Sequence, residues 1–104
     1  IRYRLFHMFR KVEMARGMLQ RVITYNATAP QAALQGSAAA KVSVTQLAFE
    51  VANEALQMFG GNGMTKEYPM EKLVRDARAL LIADGCNEML ALKGGSLLVN
   101  PDLL

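Results

Sequence analysis

The stretch best suited to binding or catalysis is the glycine-rich run from Gln57 to Gly63, QMFGGNG, which lies between two helical patterns. One glycine is enough to end a helix, because glycine adopts the left-handed conformation of a helix C-terminus without a Cβ clash. Three glycines in four positions also leave backbone amides uncovered, so a ligand could approach them closely. The run fits neither G-x-G-x-x-G nor G-x-x-x-x-G-K-[ST], and no predicted strand precedes it. The residues alone leave both a helix stop and a ligand site open.

The lone cysteine and the lone histidine form no recognisable site. Cys86 has no second cysteine or nearby histidine, so the sequence predicts no disulfide, no metal site and a reducing compartment. His7 lies beside Phe6 and Met8 with no acidic residue at helical spacing, which indicates a structural role.

Length and composition indicate one globular domain or part of one. Of the 104 residues 52% are hydrophobic and 20% charged, which excludes a disordered or collagen-like chain. The net charge of +3 is spread over several segments and does not predict nucleic-acid binding. No apolar run approaches the roughly 18 residues that cross a bilayer, and no signal peptide is evident. Because the sequence begins inside a helical pattern without an initiator methionine, we expect a soluble fragment of a longer protein.

Apolar residues spaced three and four apart predict two long helices. The first should run from about Ile1 to Tyr25, with one apolar stripe and a solvated basic face. The second should begin near Ala33, carry two apolar stripes, end at Gly60 and Gly61, and lie inside a bundle or at a subunit interface. The predicted inward residues are Leu5, Met8, Val12, Ala15, Leu19 and Val22, then Ala40, Val44, Leu47, Ala48, Val51, Ala52, Ala55, Met58 and Phe59.

Two shorter helices should follow, so the chain is predicted to be all-α. Pro69 suits the first turn of MEKLVRDAR. Helical spacing resumes in CNEMLALKGGSLLV, where Gly94 and Gly95 should weaken or end the helix, and Asp84 stands at the entrance of this last helix. The predicted inward residues are Leu73, Val74 and Ala77 in the third helix and Met89, Leu92 and Leu97 in the fourth.

Three linked blocks resemble the C-terminal signature of the acyl-CoA dehydrogenase family. QMFGGNG is similar to Q-x-x-G-G-x-G-[YF], EYPMEKLVRD to E-Y-P-x-E-[KR]-L-x-R-D, and IADGCNEM to I-x-E-G-T-x-[EQ]-I. KVEMAR and AAAKVSV are similar to other helices of the same domain, so the resemblance covers nearly the whole chain. It implies that residues 1–104 are most of a four-helix bundle, a C-terminal domain whose first helix would lie upstream of Ile1.

The resemblance implies FAD as cofactor and assigns contacts with it to Gln57, Met58, Phe59, Gly60 and Gly61. In the family the glutamine and the paired glycines contact the ADP part of an FAD that a neighbouring subunit mainly holds. Cys86 replaces a threonine that often contacts the flavin ring region and is a poorer hydrogen-bond donor. The resemblance also assigns Glu88 to cofactor binding and Gly85 to substrate binding.

Four further residues of the signature are assigned structural roles. Arg75 and Asp76 match the family's R-D pair, for which we expect a buried ion pair. Glu67 and Tyr68 are expected to support the fold.

The chemistry that the resemblance implies is α,β-dehydrogenation of an acyl-CoA thioester to a trans-2-enoyl-CoA. A carboxylate removes the α-proton in an apolar site that raises its pKa, while the β-hydrogen leaves as hydride to the flavin. In many members the base is the glutamate of the turn, whose position Asp84 takes here. Asp84 is therefore a candidate catalytic base, but an aspartate there can equally be a helix N-cap, and some members place the base on an upstream helix.

The resemblance also implies partners and a competing function. We expect an acyl-CoA substrate, a homo-oligomer (dimer or tetramer) and electron-transfer flavoprotein or a similar acceptor, in the cytoplasm or the mitochondrial matrix. The alternative is a helical oligomerisation module whose catalysis was lost with the glutamate.

Overall fold

The computed structural model of the protein describes residues 1–99, and this part of the chain is all-α, as predicted. The helices are α1 (Arg2–Thr28), α2 (Leu34–Met58), α3 (Met70–Leu80) and α4 (Asn87–Val99), with a 3₁₀ helix at Gly60–Met64 after α2. No strand occurs among the described residues. None of the described helices combines the length and the apolar composition needed to cross a membrane.

The end of α1 is set by the residues around Pro30. The helix continues past the predicted end at Tyr25 to Thr28, whose hydroxyl donates a hydrogen bond to Thr24 O at 3.0 Å. Ala29 is then extended, with a ψ of 150°, which is the conformation favoured by a residue that precedes proline. The proline therefore turns the chain from α1 toward α2.

Helix α1 runs antiparallel to α2 along nearly its whole length. Early residues of α1 contact late residues of α2, and late residues of α1 contact early ones. The contacts are Arg4 Nη1 to Glu54 Oε1 at 3.0 Å, Lys11 Nζ to Glu50 Oε2 at 3.1 Å, and Asn26 Nδ2 to Ser37 Oγ at 3.0 Å.

Helices α3 and α4 lie one after the other along α2, and in the described part of the chain they contact neither each other nor α1. Gly63, just before α3, packs against Leu56 near the C-terminal end of α2. Gly94 of α4 packs near Ala38 in the N-terminal half of α2. Helix α2 is thus the one described helix that all the others contact, and the prediction that it has several partners is confirmed.

Of the two alternatives predicted for Gly94 and Gly95, that they end α4 is wrong, and two of the three residues of α4 predicted to face inward are exposed. The helix passes through Gly94 and Gly95 and continues to Val99. Met89 and Leu92 are 61% and 67% exposed, whereas Leu97 is 4% exposed, as predicted. The face that packs on α2 contains Gly94, because a Cβ at this position would already lie 3.7 Å from Ala38 Cβ. Close approach of the two helices therefore selects the stripe that carries the glycine.

Four other residues predicted to face inward are exposed, namely Leu5, Leu19, Phe59 and Leu73. Among the described helices α1 packs closely on α2 alone, so the flanks of its apolar stripe stay uncovered. Leu73 projects from α3 into an open groove instead of the core, while Ala77 of the same helix is buried.

The predicted buried ion pair between Arg75 and Asp76 is also wrong. Adjacent residues of a helix do not face each other, so each side chain pairs one turn away on the exposed surface of α3. Arg75 Nε donates to Glu71 Oε2 at 2.6 Å, and Lys72 Nζ lies 3.5 Å from Asp76 Oδ2. The hydrogen bond from Arg75 lowers the pKa of Glu71. Such exposed pairs contribute little to stability.

The chain leaves much apolar surface uncovered. Its accessible surface is 7559 Å², against about 5,800 Å² for a compact monomer of this mass. An apolar groove of about 560 Å³ opens between α1, α2 and α3. Residues that line it include Val12, Leu19, Leu47, Val51, Leu73 and Leu80.

We expect the isolated chain to self-associate into a dimer or tetramer, because association would bury these apolar faces. Light scattering during size-exclusion chromatography measures the mass. Leu73→Lys, in the groove, should shift the mass toward the monomer, whereas Leu92→Lys, on the exposed face of α4, should not. A compact, monodisperse monomer of the unmodified chain in dilute solution would contradict this expectation.

Candidate functional site

The glycine run contains a helix stop followed by open backbone. Helix α2 ends at Met58, Phe59 keeps a right-handed conformation, and Gly60 has a φ of 63°. Only glycine adopts that conformation routinely, so Gly60 is the predicted stop. A Cβ added at Gly60 or Gly61 would meet no atom within 4 Å. One side of the backbone is therefore bare at both positions.

The third glycine of the run has a packing role. A Cβ at Gly63 would lie 2.6 Å from Leu56 O and 3.0 Å from Leu56 Cγ. Gly63 is also buried. The expectation that the spare glycines leave backbone open to a ligand therefore does not hold for Gly63, because close contact with α2 already requires a glycine there.

Polar and aromatic groups surround the bare backbone. Gln57 is exposed in the last turn of α2, and Met58 beside it is half-buried. The ring of Phe59 meets Tyr68 edge to face, with centroids 5.4 Å apart. An amide side chain both donates and accepts hydrogen bonds, and exposed aromatic carbon offers a surface for stacking. This set of groups can bind a ligand that combines polar groups with a flat ring.

Asp84 lies in the turn between α3 and α4, in a left-handed conformation. Its φ is 56° and that of Gly85 is 94°. Asp tolerates this region better than most residues. The backbone N–H of Asn87 donates to Leu81 O at 3.0 Å and closes the turn.

The interpretation of Asp84 as the N-cap of the last helix is wrong. Helix α4 begins at Asn87, so the capping position is Cys86, two residues after Asp84. Within residues 1–99 the Asp84 carboxylate makes no hydrogen bond and no ion pair, and the residue is exposed. The geometry leaves a free carboxylate at the surface of the turn.

A hydrogen-bond network fastens this turn to α2. Lys41 Nζ donates to Gly85 O at 2.9 Å and to Asn87 Oδ1 at 2.7 Å. Asn87 Nδ2 donates to Thr45 Oγ1 at 3.1 Å, and Thr45 Oγ1 donates to Lys41 O at 2.6 Å. Lys41, Thr45 and Asn87 are half-buried.

The other predicted site residues of the turn lie close by. Gly85 is exposed, and its carbonyl accepts from Lys41. Cys86 is half-buried with a free thiol. Glu88 is exposed in the first turn of α4. These three residues and Asp84 form a single cluster.

The two clusters are far apart within the chain. The Asp84 turn is fastened at Lys41, and the glycine run follows Gln57, both on α2. Sixteen residues of helix separate these two positions, or about 24 Å at the usual rise per residue. The structure therefore groups the predicted residues into two sites, one near each end of α2.

Sequence reasoning missed Lys41, Thr45 and Asn87. The available signal was Lys41 itself, a lone charged residue in the apolar stretch AAAKVSV. A charge on an otherwise apolar helix face needs a polar partner, but the partner is 44 residues away in the sequence.

No metal site extends either cluster in the described part of the chain, and the contacts of His7 are local. No group of three or more His, Cys, Asp or Glu among the described residues could hold a metal ion. His7 Nδ1 accepts from Arg10 Nε at 3.2 Å, and its ring packs against Tyr3 with centroids 4.4 Å apart. These contacts lie within α1.

Comparison with known proteins gives one consistent family. The model of the acyl-CoA dehydrogenase C-terminal domain matches residues 1–95. A probable acyl-CoA dehydrogenase of Mycobacterium leprae is 38% identical over 96 residues, which cover 86% of this chain and 23% of that protein. A similar protein of Mycobacterium tuberculosis is 36% identical over the same shares.

A short-chain specific acyl-CoA dehydrogenase of Clostridium acetobutylicum is 42% identical over 53 residues, or 51% of this chain and 14% of that protein. The chain thus spans about a quarter or less of the length of these curated relatives. No solved structure matches it significantly.

Proposed function

The chain belongs to the acyl-CoA dehydrogenase family, as a C-terminal domain, and from that premise we propose that its holoenzyme dehydrogenates an acyl-CoA thioester with Asp84 as the base. The observation that carries the proposal is the state of Asp84. Its carboxylate occupies the position of the family's turn carboxylate, yet it neither caps a helix nor pairs with a cation within residues 1–99. A base needs such a free lone pair.

The residues at the end of α2 fit the ADP part of FAD. Gln57 supplies an exposed amide, Phe59 an exposed ring, and Gly60 and Gly61 supply backbone that an added Cβ would cover. Met58 supports this edge from its half-buried position. When bound, the flavin supplies the acceptor for hydride.

The distance between the two clusters favours a shared, oligomeric arrangement. With about 24 Å of α2 between them, the glycine run and the Asp84 turn would serve different FAD molecules. In this arrangement the glycine run contacts the ADP part of FAD held by a neighbouring subunit. Cys86 and Glu88 would contact the cofactor beside the Asp84 turn. Cofactor binding then depends on a homo-oligomer, a dimer or tetramer.

In the proposed reaction a carboxylate oxygen of Asp84 takes the α-proton of the thioester. The electron pair of the broken C–H bond becomes the Cα=Cβ double bond as the β-hydrogen departs as hydride, giving a trans-2-enoyl-CoA. Gly85 contacts the substrate through its backbone. Asp84 is exposed in this chain, so the substrate and the rest of the holoenzyme must exclude water from it.

Turnover with defined acyl-CoA thioesters tests this function. We expect the holoenzyme, supplied with an artificial electron acceptor, to convert at least one thioester of a chain-length series into a product lighter by two hydrogens. Electron-transfer flavoprotein is the proposed natural acceptor. A holoenzyme that binds FAD but converts no thioester would contradict the proposal and favour the oligomerisation module. The apolar surface around α2 is the observation that keeps this alternative in view.

The isolated chain should not retain FAD, because we assign it only secondary contacts with the cofactor. The purified chain, incubated with excess FAD and passed through gel filtration, should elute colourless. Matched holoenzyme should elute yellow. Stoichiometric flavin on the isolated chain would show that the main flavin site lies within these residues.

A further inference from the structure

The turn that carries Asp84 is held in an unfavourable conformation. Asp84 and Gly85 are consecutive residues with positive φ, 56° and 94°. A non-glycine residue keeps such a conformation only when its surroundings fix it. The turn is exposed and follows a short helix, so a contact from another element adds to the backbone hydrogen bond that closes it.

Lys41 provides the most direct restraint. Its ammonium group binds Gly85 O and Asn87 Oδ1, on either side of Cys86, at 2.9 and 2.7 Å. Asn87 is itself held by Thr45, one turn after Lys41 on α2. The hydrogen bonds thus connect both ends of the Gly85–Asn87 segment to one turn of a long helix.

The ammonium group of Lys41 bonds to Gly85 O and Asn87 Oδ1 and not to the Asp84 carboxylate. Within residues 1–99 the two groups form no ion pair, although both line one hollow of about 270 Å³. A direct ion pair would occupy the lone pairs that a base needs for the proton. Bonding to Gly85 O fixes the backbone beside Asp84 and leaves its carboxylate free.

We propose that Lys41 is a positioning residue that fixes the Asp84–Gly85 turn on α2 and so aims the Asp84 carboxylate at the substrate. This inference rests on the proposed function, in which Asp84 is the base. Misplacing a catalytic group by about 1 Å can cost on the order of a hundredfold in rate. The network therefore affects the rate of proton removal more than the binding of acyl-CoA.

Lys41→Met in the holoenzyme tests the proposal, because methionine keeps an unbranched chain of similar length but donates no hydrogen bond. The rate of flavin reduction at saturating acyl-CoA should fall about 10- to 100-fold, with little change in the dissociation constant of acyl-CoA. Lys41→Arg, which still donates, should retain part of the rate. Lys93→Met is the matched control. Lys93 lines the same hollow but makes no hydrogen bond or ion pair within residues 1–99, so its rate should equal that of wild type.

Lys41→Met in an Asp84→Asn background tells whether Lys41 positions Asp84 or only stabilises the fold. If Lys41 acts through Asp84, Lys41→Met should slow Asp84→Asn no further, since coupled residues are not additive. A further loss of similar size in the double variant, with lower flavin content, would overturn the proposal. Asn87→Ala removes the link to Thr45 and should give a smaller loss of the reduction rate. This loss should also disappear in the Asp84→Asn background. If Lys41→Met does not fold, Asn87→Ala takes its place in the test.

Two outcomes separate the positioning role of Lys41 from the proposed role of Asp84 as the base. Wild-type rates in Lys41→Met and Asn87→Ala alongside a slow Asp84→Asn would overturn the positioning role only. A wild-type rate in Asp84→Asn would overturn the assignment of the base, and the role of Lys41 with it.

Discussion

Asp84→Asn is expected to slow reduction of the flavin by acyl-CoA about 10²- to 10⁴-fold, which is the usual contribution of a positioned base. The substitution removes the proton acceptor but keeps the shape of the side chain. Asn tolerates the left-handed φ of 56° as Asp does, so the turn should persist. Stopped-flow absorbance of the flavin in a single turnover measures the rate.

Two control variants test the length of the side chain at position 84 and the effect of removing a different carboxylate. Asp84→Glu should keep some activity, since the carboxylate is retained and the chain lengthens by about 1.5 Å. Asp76→Asn removes another exposed carboxylate, which lies on α3 eight residues before Asp84 and pairs with Lys72, and should react at the wild-type rate. If Asp84→Asn reduces its flavin as fast as wild type, with equal flavin content and thermal stability, the base lies on another element.

Gly63→Ala should lower the free energy of unfolding by about 1–3 kcal/mol, the usual cost of overpacking. The new Cβ would lie 2.6 Å from Leu56 O, a backbone atom of α2 that cannot move without disturbing the helix. Thermal or urea unfolding, followed by the circular dichroism of the helices, measures the change.

Gly61→Ala is the matched control for Gly63→Ala. It lies two residues earlier in the same 3₁₀ helix, and an added Cβ there meets no atom within 4 Å. Its stability should stay within about 0.5 kcal/mol of wild type, as for most surface substitutions. Equal unfolding midpoints for the two variants would show that Gly63 is not in close contact with α2.

The spacing of apolar residues and the positions of glycine and proline predicted most of the fold. The central place of α2 followed from its two apolar stripes, and its end followed from Gly60. The buried face of α4 could not be chosen from the spacing of apolar residues, because Met89 and Leu92 form as good an apolar stripe as the residues that pack on α2. The choice depends on the fit between Gly94 and Ala38, which are 56 residues apart and meet only in the folded chain.

The candidate site was predictable to a similar degree. The family pattern located Gln57 and Asp84, and the structure places each in an exposed cluster. The turn geometry was not predictable, because a shift of two residues at the start of α4 decides whether Asp84 caps the helix. The role of Lys41 was not predictable either, because its partner Gly85 becomes its neighbour only through packing of α4 on α2.

The most direct test of the central claim is the absorbance of the flavin band when the holoenzyme is mixed with acyl-CoA thioesters without oxygen. We predict that at least one thioester bleaches the band and forms one enoyl-CoA per flavin, and that the bleaching is about 10²- to 10⁴-fold slower in Asp84→Asn. A fully flavin-loaded holoenzyme whose band no thioester bleaches would contradict the account.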